Sequence, residues 1–221
     1  MNDIDMIRTS ETLYEMHGRS PTVIKLGGSF AFSPDLKDWI AAIARCAGRA
    51  VIVPGGGPFA DAVRAAQAKM GFDDRAAHRM GLLAMEQYGC AIESLHEALS
   101  LADSLDSIRR GLADDQVPVW LPTPMAMGAA DIPQSWDVTS DSLAAWLAGK
   151  IGAERLVLVK QVEPAPGTAH VAHLTKRDIV DRAFANFLAA SGVPAFIVGP
   201  KDHGAIGRLL CGEPVGIRII A

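Results

Sequence analysis

Residues 23–29, VIKLGGS, constrain the fold of this chain more than any other stretch. An apolar, β-branched run that ends in two glycines predicts a buried strand and a tight turn, with a helix behind it. Adjacent glycines let the backbone approach a ligand closely and direct N–H groups at an anion. Lys25 lies inside the run, where burying its ammonium is costly unless a negative group meets it. On these residues alone, there is an alternative to a ligand-binding loop. Lys25 could be a strand-end lysine whose amine reaches solvent, and the glycines could form an ordinary turn.

A second stretch repeats this pattern. Residues 51–58, VIVPGGGP, are again an apolar run that ends in glycines. Parallel strands would bring both glycine loops to the same edge of a sheet, where backbone N–H groups and helix N-termini favour anions. The two stretches together therefore predict a phosphate-binding cradle.

The composition limits the class of protein. Hydrophobic residues make up 49% of the 221 residues, which is typical of a globular chain with a large core. The net charge of −4 offers no basic surface to nucleic acid, and no apolar stretch is long enough to span a membrane. The first twenty residues lack the apolar segment of a secretory signal. Cys46, Cys90 and Cys211 are too scattered for a disulfide framework or a zinc site, so we expect a cytoplasmic protein.

Apolar strands alternate with helical patterns along the chain, which predicts an α/β fold with a mainly parallel sheet covered on both faces. We predict an N-terminal tail at residues 1–21 and a single domain at residues 22–221. Strands are predicted at residues 22–26, 51–53, 117–121, 156–159, 195–198 and 216–220. Helices are predicted at residues 34–46, 58–70, 73–101, 140–150, 178–191 and 204–210, with a loop or hairpin at residues 161–175. The predicted core face of the 73–101 helix consists of Met80, Leu83, Met85, Tyr88, Ile92 and Leu95.

A third stretch, residues 135–143 with the sequence SWDVTSDSL, precedes a predicted helix. Thr, Ser and Asp at such a junction are ordinary N-capping residues, and a structural cap is the simpler interpretation of the isolated segment. Because the junction follows the third strand, however, it is expected at the carboxyl edge of the sheet, where ligands bind. There Asp141 could orient Lys25 and a partner lysine without itself carrying a proton.

These three motifs, in this order, resemble the amino acid kinase superfamily. The matching segments are KLGGS from Lys25, PGGG from Pro54 and TSDSLA from Thr139, and the resemblance extends over residues 22–221. It implies a three-layer αβα sandwich, a homo-oligomer, and transfer of the ATP γ-phosphoryl group to a small-molecule substrate. It also implies that Mg²⁺ arrives with ATP and has few ligands from the protein, so no metal-ligating residue is predicted.

The resemblance assigns a role to each matched residue. Lys25 would bridge the donor and acceptor oxygens as a catalytic residue, and Asp141 would position it. The residues implied to bind the nucleotide are Gly27, Gly28, Ser29, Lys160 and Lys201. Those implied to bind the acceptor are Gly55, Gly56, Gly57, Trp136, Thr139 and Ser140.

One segment departs from the family pattern. Members commonly carry the sequence TDVDG after the fourth strand, whereas residues 159–164 read VKQVEP. Lys160 could hold ATP phosphates, act as a second catalytic lysine, mark a changed nucleotide site or be an exposed strand-end residue. The candidates for a second catalytic lysine are Lys160, Lys176 and Lys201, in that order.

Residues 54–61 and 135–143 are most similar to the small kinases of methanofuran biosynthesis, which convert an aminomethyl-furan-methyl phosphate to its diphosphate. Such an acceptor is already nucleophilic, so no catalytic base is needed. Trp136 could stack on the furan ring or pack in the core, and Asp137 could meet the amine or be solvated. Two alternatives stay open, namely a kinase of a carboxylate or carbamate, and a nucleotide-binding regulatory or storage subunit without turnover.

The segment that would select the acceptor, residues 70–88, carries three side chains of open function. Arg75, His78 and Arg79 could bind an acceptor phosphate or form a solvated helix face. The histidines of the chain are too scattered for a metal site, so we interpret them as surface or core residues.

Overall fold

The structure is a computed structural model that describes residues 20–162, 167–211, 213 and 215–220. Residues 1–19 of the predicted N-terminal tail lie outside the described residues. Within the described ranges, no helix has the length and apolar character needed to cross a membrane.

Eight strands form one sheet in the described part of the chain. They are β1 (Thr22–Leu26), β2 (Ala50–Pro54), β3 (Leu99–Ala102), β4 (Val117–Trp120), β5 (Arg155–Val159), β6 (Gly167–His170), β7 (Ala195–Val198) and β8 (Ile217–Ile220). The order across the sheet is β3-β4-β2-β1-β5-β7-β8-β6. Pairing is parallel from β3 to β7, whereas β8 runs antiparallel to β7 and β6 pairs in parallel with β8. The predicted α/β fold with a mainly parallel sheet is confirmed.

Helices pack on both faces of this sheet. Trp39 and Ile40 share a buried cluster with Ile24 of β1, whereas Leu143 shares another with Val23. Since neighbouring strand residues point to opposite faces, these two clusters lie on opposite sides of the sheet and make three layers. The helices are α1 (Leu36–Ala44), α2 (Gly57–Met70), α3 (Asp74–Glu93), α4 (Leu105–Ala113), α5 (Thr123–Ala126), α6 (Ser140–Lys150), α7 (Val171–Lys176), α8 (Phe184–Ser191) and α9 (Ile206–Leu210).

The helix predicted over residues 73–101 is wrong at its C-terminal end. Helix α3 stops at Glu93, and residues 99–102 form β3, which pairs with β4 at the edge of the sheet. Four residues are too few for the alternation of a strand to be distinguished from a helical pattern. The predicted core face is correspondingly mixed: Met85, Tyr88 and Ile92 are buried, but Met80, Leu83 and Leu95 are exposed.

Two further segments differ from the prediction. The helix predicted over residues 178–191 begins only at Phe184, because residues 178–183 form a loop in which Asp178 has a φ of 52°. The segment predicted as a loop or hairpin, residues 161–175, contains the strand β6 and most of the helix α7, and its residues 163–166 lie outside the described ranges. No helix was predicted at the position of α4, although Ser104 and Ser107 form a capping box at its start.

The three central strands end level with one another. Leu26 of β1 pairs with Pro54 of β2 on one side and with Val159 of β5 on the other. The segments that follow these strands therefore meet at one carboxyl edge, where crevices form in open α/β sheets.

Candidate active site

The two glycine loops touch each other at this edge. A Cβ atom on Gly28 would lie 2.2 Å from the amide nitrogen of Gly57, and one on Gly55 would lie 2.3 Å from that of Gly28. Gly57 also has a φ of 54°, which disfavours other residues. From the sequence, these glycines were predicted to let a ligand approach the backbone. The structure shows that they are required first for the contact between the two loops. This contact places the start of α2 beside the turn that follows β1.

A buried cluster of three charged side chains lies beside the loops. Lys25 follows Val23 by two residues and Lys160 follows Leu158 by two, so both lysines emerge on the face covered by α6. There Asp141, in the first turn of α6, meets both amines. Its Oδ1 lies 2.9 Å from Lys25 Nζ, and its Oδ2 accepts a hydrogen bond of 2.6 Å from Lys160 Nζ. The exposed fractions of the side chains are 6% for Lys25, 5% for Asp141 and 14% for Lys160.

The electrostatics of this cluster favour an ionised carboxylate between two ammonium groups. Burial by itself would raise the pKa of Asp141, but Lys160 and Lys25 together bring it down to about 2. Burial lowers the pKa of Lys160 to about 8, and the charge of Lys25 acts in the same direction, while Asp141 opposes both. Asp141 is therefore no proton acceptor at neutral pH, and the cluster presents an excess of positive charge.

A carboxylate absent from the sequence predictions holds the N-terminus of α6. Asp181 Oδ2 accepts hydrogen bonds from the backbone N–H of Thr139 at 3.0 Å, from Thr139 Oγ1 at 2.8 Å and from the backbone N–H of Ser142 at 3.0 Å. Its Oδ1 accepts another from Ser142 Oγ. Burial and the nearby charge of Asp141 raise the pKa of Asp181, although these hydrogen bonds oppose the shift. Asp181 thus caps the turn that carries Asp141.

Replacing Asp181 with asparagine should lower kcat by about tenfold and lower Tm, because an amide cannot accept all of these hydrogen bonds. The turn that sets the position of Asp141 would then be loosened. Kinetics measured well below Tm, with a thermal melt of each variant, test this. The control is Asp106→Asn, which removes an exposed carboxylate of α4 and should change neither quantity. A kcat equal to that of the unmodified protein would show that Asp181 has no part in positioning the cluster.

Two clefts lie at this edge of the sheet. The first, of about 300 Å³, is lined by both glycine loops and by side chains of α2, α3 and α6. The second, of about 410 Å³, is lined by Asp141 and Lys160 and by the loop that carries Asp181, whereas Lys25 lines neither cleft. Arg64, Trp136 and Thr139 line both clefts. The site can therefore hold two ligands side by side, with Asp141 and Lys160 in the wall of the second cleft.

Trp136 forms part of the wall between the clefts. Its Nε1 donates a hydrogen bond of 2.7 Å to Gln67 Oε1, and the ring packs against Ala60, Val63 and Ala84. The Arg64 guanidinium lies over the ring, 4.3 Å from its centroid. The Arg64 guanidinium therefore covers part of the ring surface on which a substrate was predicted to stack. The Trp136 ring both packs in a small core and borders the two clefts.

The remaining predicted residues fall into two groups. Ser29, Thr139 and Ser140 line the first cleft, together with the glycines 28, 56 and 57. Lys201 lies beyond β7 and donates a hydrogen bond of 2.6 Å to Asp35, with 74% of its side chain exposed, and Lys176 is exposed on α7. Of the residues proposed for acceptor selection, Arg75 and Arg79 are exposed, whereas His78 is buried against the first cleft.

Arg64 and Asp181 are among the residues of the site that the sequence interpretation missed. Arg64 follows Gly57 by two turns of α2, so helical periodicity from the glycine loop could have identified it. Asp181 lies about forty residues from the turn that it caps and within a predicted helix, so no local signal could have identified it.

Comparisons with known proteins show the family and the fold of this chain. Residues 20–164 match the model of the amino acid kinase family. The [5-(aminomethyl)furan-3-yl]methyl phosphate kinase of Methanocaldococcus jannaschii is 22% identical over an alignment of 204 residues, which covers 86% of this chain and 93% of that protein.

Solved structures share the fold. The uridylate kinase of Archaeoglobus fulgidus has a TM-score of 0.69 at 17% identity, over 90% of this chain and 100% of that one. The UMP kinase of Ureaplasma parvum has a TM-score of 0.66 at 14% identity, over 92% and 99% of the two chains. The resemblance and the fold expected from the sequence motifs are confirmed.

Proposed function

The chain belongs to the amino acid kinase family, and from this premise we propose that it transfers the γ-phosphoryl group of ATP to the phosphate of a small acceptor. The acceptor is an aminomethyl-furan-methyl phosphate, and the product is its diphosphate. The observation that carries this proposal is the buried Lys25–Asp141–Lys160 cluster beside two glycine loops, with Asp141 and Lys160 in the wall of the second cleft. The similarity to a kinase named for that acceptor supports the choice of substrate.

Phosphoryl transfer needs in-line positioning and neutralisation of charge more than covalent chemistry. Lys25 and Lys160 supply two positive charges at the edge of the sheet, Lys160 in the wall of the second cleft, and Asp141 fixes where both lie. Backbone N–H groups of the glycine loops and of the first turn of α2 would hold phosphate oxygens as the charge moves. An acceptor phosphate attacks through an oxygen that is already ionised, so no side chain has to remove a proton.

The two clefts suit different ligands. The first has apolar walls from Leu82 and Met85 next to the glycines, which fits a small ring with a phosphate. The second is lined mainly by charged side chains, namely three cations (Arg64, Lys160 and Arg182) and four aspartates. The three cations would meet the phosphates of ATP. We assign the acceptor to the first cleft and the nucleotide to the second. Gly28 and Ser29, which the resemblance implied for the nucleotide, therefore lie on the acceptor side in this assignment.

The residues present fit a magnesium ion carried by the nucleotide. No group of three or more His, Cys, Asp or Glu side chains suited to a metal occurs in the described ranges, and Asp141 already contacts two amines. Mg²⁺ commonly keeps several waters and binds through substrate phosphates. When bound, it would neutralise negative charge on the transferring phosphoryl group, and Lys25 and Lys160 would complete that neutralisation.

A panel of acceptors tests the proposal. The purified protein is mixed with Mg-ATP and one of four compounds: aminomethyl-furan-methyl phosphate, UMP, N-acetylglutamate or carbamate. Formation of ADP is then followed. We expect turnover with the furan phosphate at a kcat/KM at least about a hundredfold above the others, a ratio within reach of differential binding. Turnover only with a carboxylate or carbamate would contradict the acceptor, and ADP from none of them would favour a non-catalytic nucleotide-binding protein.

The depressed pKa of Lys160 predicts how activity depends on pH. Lys160 must be protonated to hold phosphate oxygens, so kcat should fall as the pH rises through about 8. Asp141, with a pKa of about 2, should give no acidic limb between pH 5 and 7. In Lys160→Arg the guanidinium stays charged, and the alkaline limb should move upward by more than one pH unit. A limb that stays at the same pH in this variant would show that another group titrates.

The protein is further proposed to be a homo-oligomer, and α3 is the candidate interface. Met80 and Leu83 lie one turn apart on this helix and are both exposed, which is typical of an interaction surface. Closed symmetric assembly is the usual way to cover such a surface. Light scattering at micromolar concentration should give at least twice the monomer mass, and Leu83→Glu should shift it towards the monomer. A monomer mass for the unmodified protein would rule out the oligomer.

A further inference from the structure

Arg64 is the one lysine or arginine among the described residues that line the first cleft. The other ionisable side chains in this wall are Asp61 and His78, and burial lowers the pKa of His78, which favours the neutral imidazole. Lys25 lines neither cleft. A phosphate monoester carries about two negative charges at neutral pH, whereas the backbone N–H groups of the glycine loops are neutral donors. Arg64 is therefore the side chain of this cleft that can compensate the charge of such an acceptor.

Helix α2 presents one face to this cleft. The residues of that face follow one another at helical spacing and are Gly57, Ala60, Asp61 and Arg64. The seven residues from Gly57 to Arg64 correspond to about 10 Å along the helix axis. Arg64 Nη1 lies 3.3 Å from Asp61 Oδ1, so the arginine side chain reaches back by one turn towards the glycine loop. Because the side chain of Ala60 is small, a phosphate can lie between the guanidinium and the N-terminus of α2.

The guanidinium of Arg64 is positioned by its neighbours and is still accessible to a ligand. It lies over the Trp136 ring, 4.3 Å from the centroid, and the hydrogen bond from Trp136 Nε1 to Gln67 Oε1 fixes that ring. The exposed fractions of the side chains are 49% for Arg64 and 76% for Asp61, and a surface ion pair of this kind contributes little free energy. A phosphate can therefore replace Asp61 as the partner of the guanidinium, which matches phosphate oxygens with two parallel N–H groups.

Arg64 also borders the second cleft, and it is the charged residue among the three that line both. The second cleft has two further cations, Lys160 and Arg182. Without Arg64, the phosphates of a nucleotide in the second cleft would keep two cationic side chains, whereas a phosphate in the first cleft would have none from the residues that line it. This difference predicts that loss of Arg64 weakens binding of the acceptor more than binding of the nucleotide.

We propose that Arg64 is a specificity residue whose guanidinium binds the phosphate of the acceptor, opposite the glycine loops and beside the phosphoryl group that arrives from the second cleft. This rests on the proposed function for the assignment of the acceptor to the first cleft. The preference of that cleft for a phosphate group depends on Arg64 and the glycine loops alone, and it holds for a phosphate monoester whatever its organic part.

The first test needs no turnover. Isotope-labelled protein with assigned NMR signals is titrated with methyl phosphate at constant ionic strength, and the Arg64 Nε–Hε signal is identified by its loss in Arg64→Lys. We expect this signal and the backbone amide of Gly57 to shift together. The Nε–Hε signal of Arg109 should stay in place, since Arg109 forms the same kind of pair with Asp106 on α4, outside both clefts. An Arg64 signal that does not move, or one that shifts with the amide of Lys160 but not with that of Gly57, would overturn the proposal.

The second test separates the two substrates kinetically. Arg64→Met should raise KM for aminomethyl-furan-methyl phosphate by about 10- to 100-fold, as expected for the loss of hydrogen bonds to a charged group, and should raise KM for ATP by less than about threefold. Arg64→Lys keeps the charge without the planar fork and should give an intermediate KM for the acceptor. The matched control is Arg109→Met, which removes the pair on α4 and should change neither KM. Thermal melts of the variants show whether loss of the contact with Trp136 unfolds the site.

The outcomes separate this inference from the function on which it rests. An unchanged KM for the acceptor in Arg64→Met, or a KM for ATP that rises as much as that for the acceptor together with a lower Tm, would overturn the role of Arg64 and leave the kinase assignment intact. If the furan phosphate is not phosphorylated by the unmodified protein, the proposed acceptor fails, and the titration with methyl phosphate still decides whether Arg64 binds a phosphate in the first cleft.

Discussion

Lys25→Met is expected to lower kcat by about a hundredfold to a thousandfold without unfolding the protein, since it removes a cation that acts chiefly on the transition state. Methionine matches the length of lysine and suits a buried strand position. The cluster would change from two cations and one anion to a single pair between Lys160 and Asp141, so the remaining charges stay compensated. Steady-state kinetics and thermal melts of the same preparations measure the two effects.

The control for this variant is Lys150→Met at the opposite end of α6. Lys150 pairs with Asp131 on the surface, 3.3 Å apart, so its loss should change neither kcat nor Tm by much. A kcat for Lys25→Met within a few-fold of the unmodified protein would show that Lys25 is a structural strand-end residue.

Asp141→Asn is expected to have the largest effect on stability. The change leaves two buried ammonium groups with no opposing charge, which typically costs about 3–5 kcal/mol of the free energy of unfolding. Activity should fall with it, because Lys25 and Lys160 would move apart. The loss of stability should become smaller as the pH is raised past the point where Lys160 loses its proton, since the folded state then carries one buried cation fewer.

The double variant Lys25→Met/Asp141→Asn tests the physical cause. Removal of one cation should restore part of the stability lost in Asp141→Asn, while activity stays as low as in either single variant. Urea unfolding gives the free energies for the four proteins of this cycle. A double variant less stable than Asp141→Asn would contradict the account of the cluster as two cations held by one anion.

The sequence predicted the part of the site that is encoded locally. Two strands ending in glycines and a capped helix after a later strand are short motifs, and a parallel sheet brings their ends to one edge. Lys160 could be placed among the candidates because it ends a strand, and the period of two along that strand puts it on the same face as Lys25. Its contact with Asp141 depends on how α6 packs on the sheet.

What could not be predicted depends on tertiary contacts between distant segments. Asp181 acts through hydrogen bonds to a helix forty residues earlier, and its own segment was predicted to be helical. The importance of the glycines was predicted from the sequence, but only one reason for it was given, the approach of a ligand. The contact between the two loops is visible only in three dimensions.

Phosphorus NMR of a mixture of the protein, Mg-ATP and aminomethyl-furan-methyl phosphate can follow the proposed transfer of a phosphoryl group from ATP to the phosphate of the acceptor at the Lys25–Asp141–Lys160 cluster. We expect the γ-phosphate signal of ATP and the monoester signal to decrease together while two coupled diphosphate signals grow, and we expect Lys25→Met to abolish this growth. A monoester signal that persists while ATP is consumed, or diphosphate that forms equally fast with Lys25→Met, would contradict this transfer.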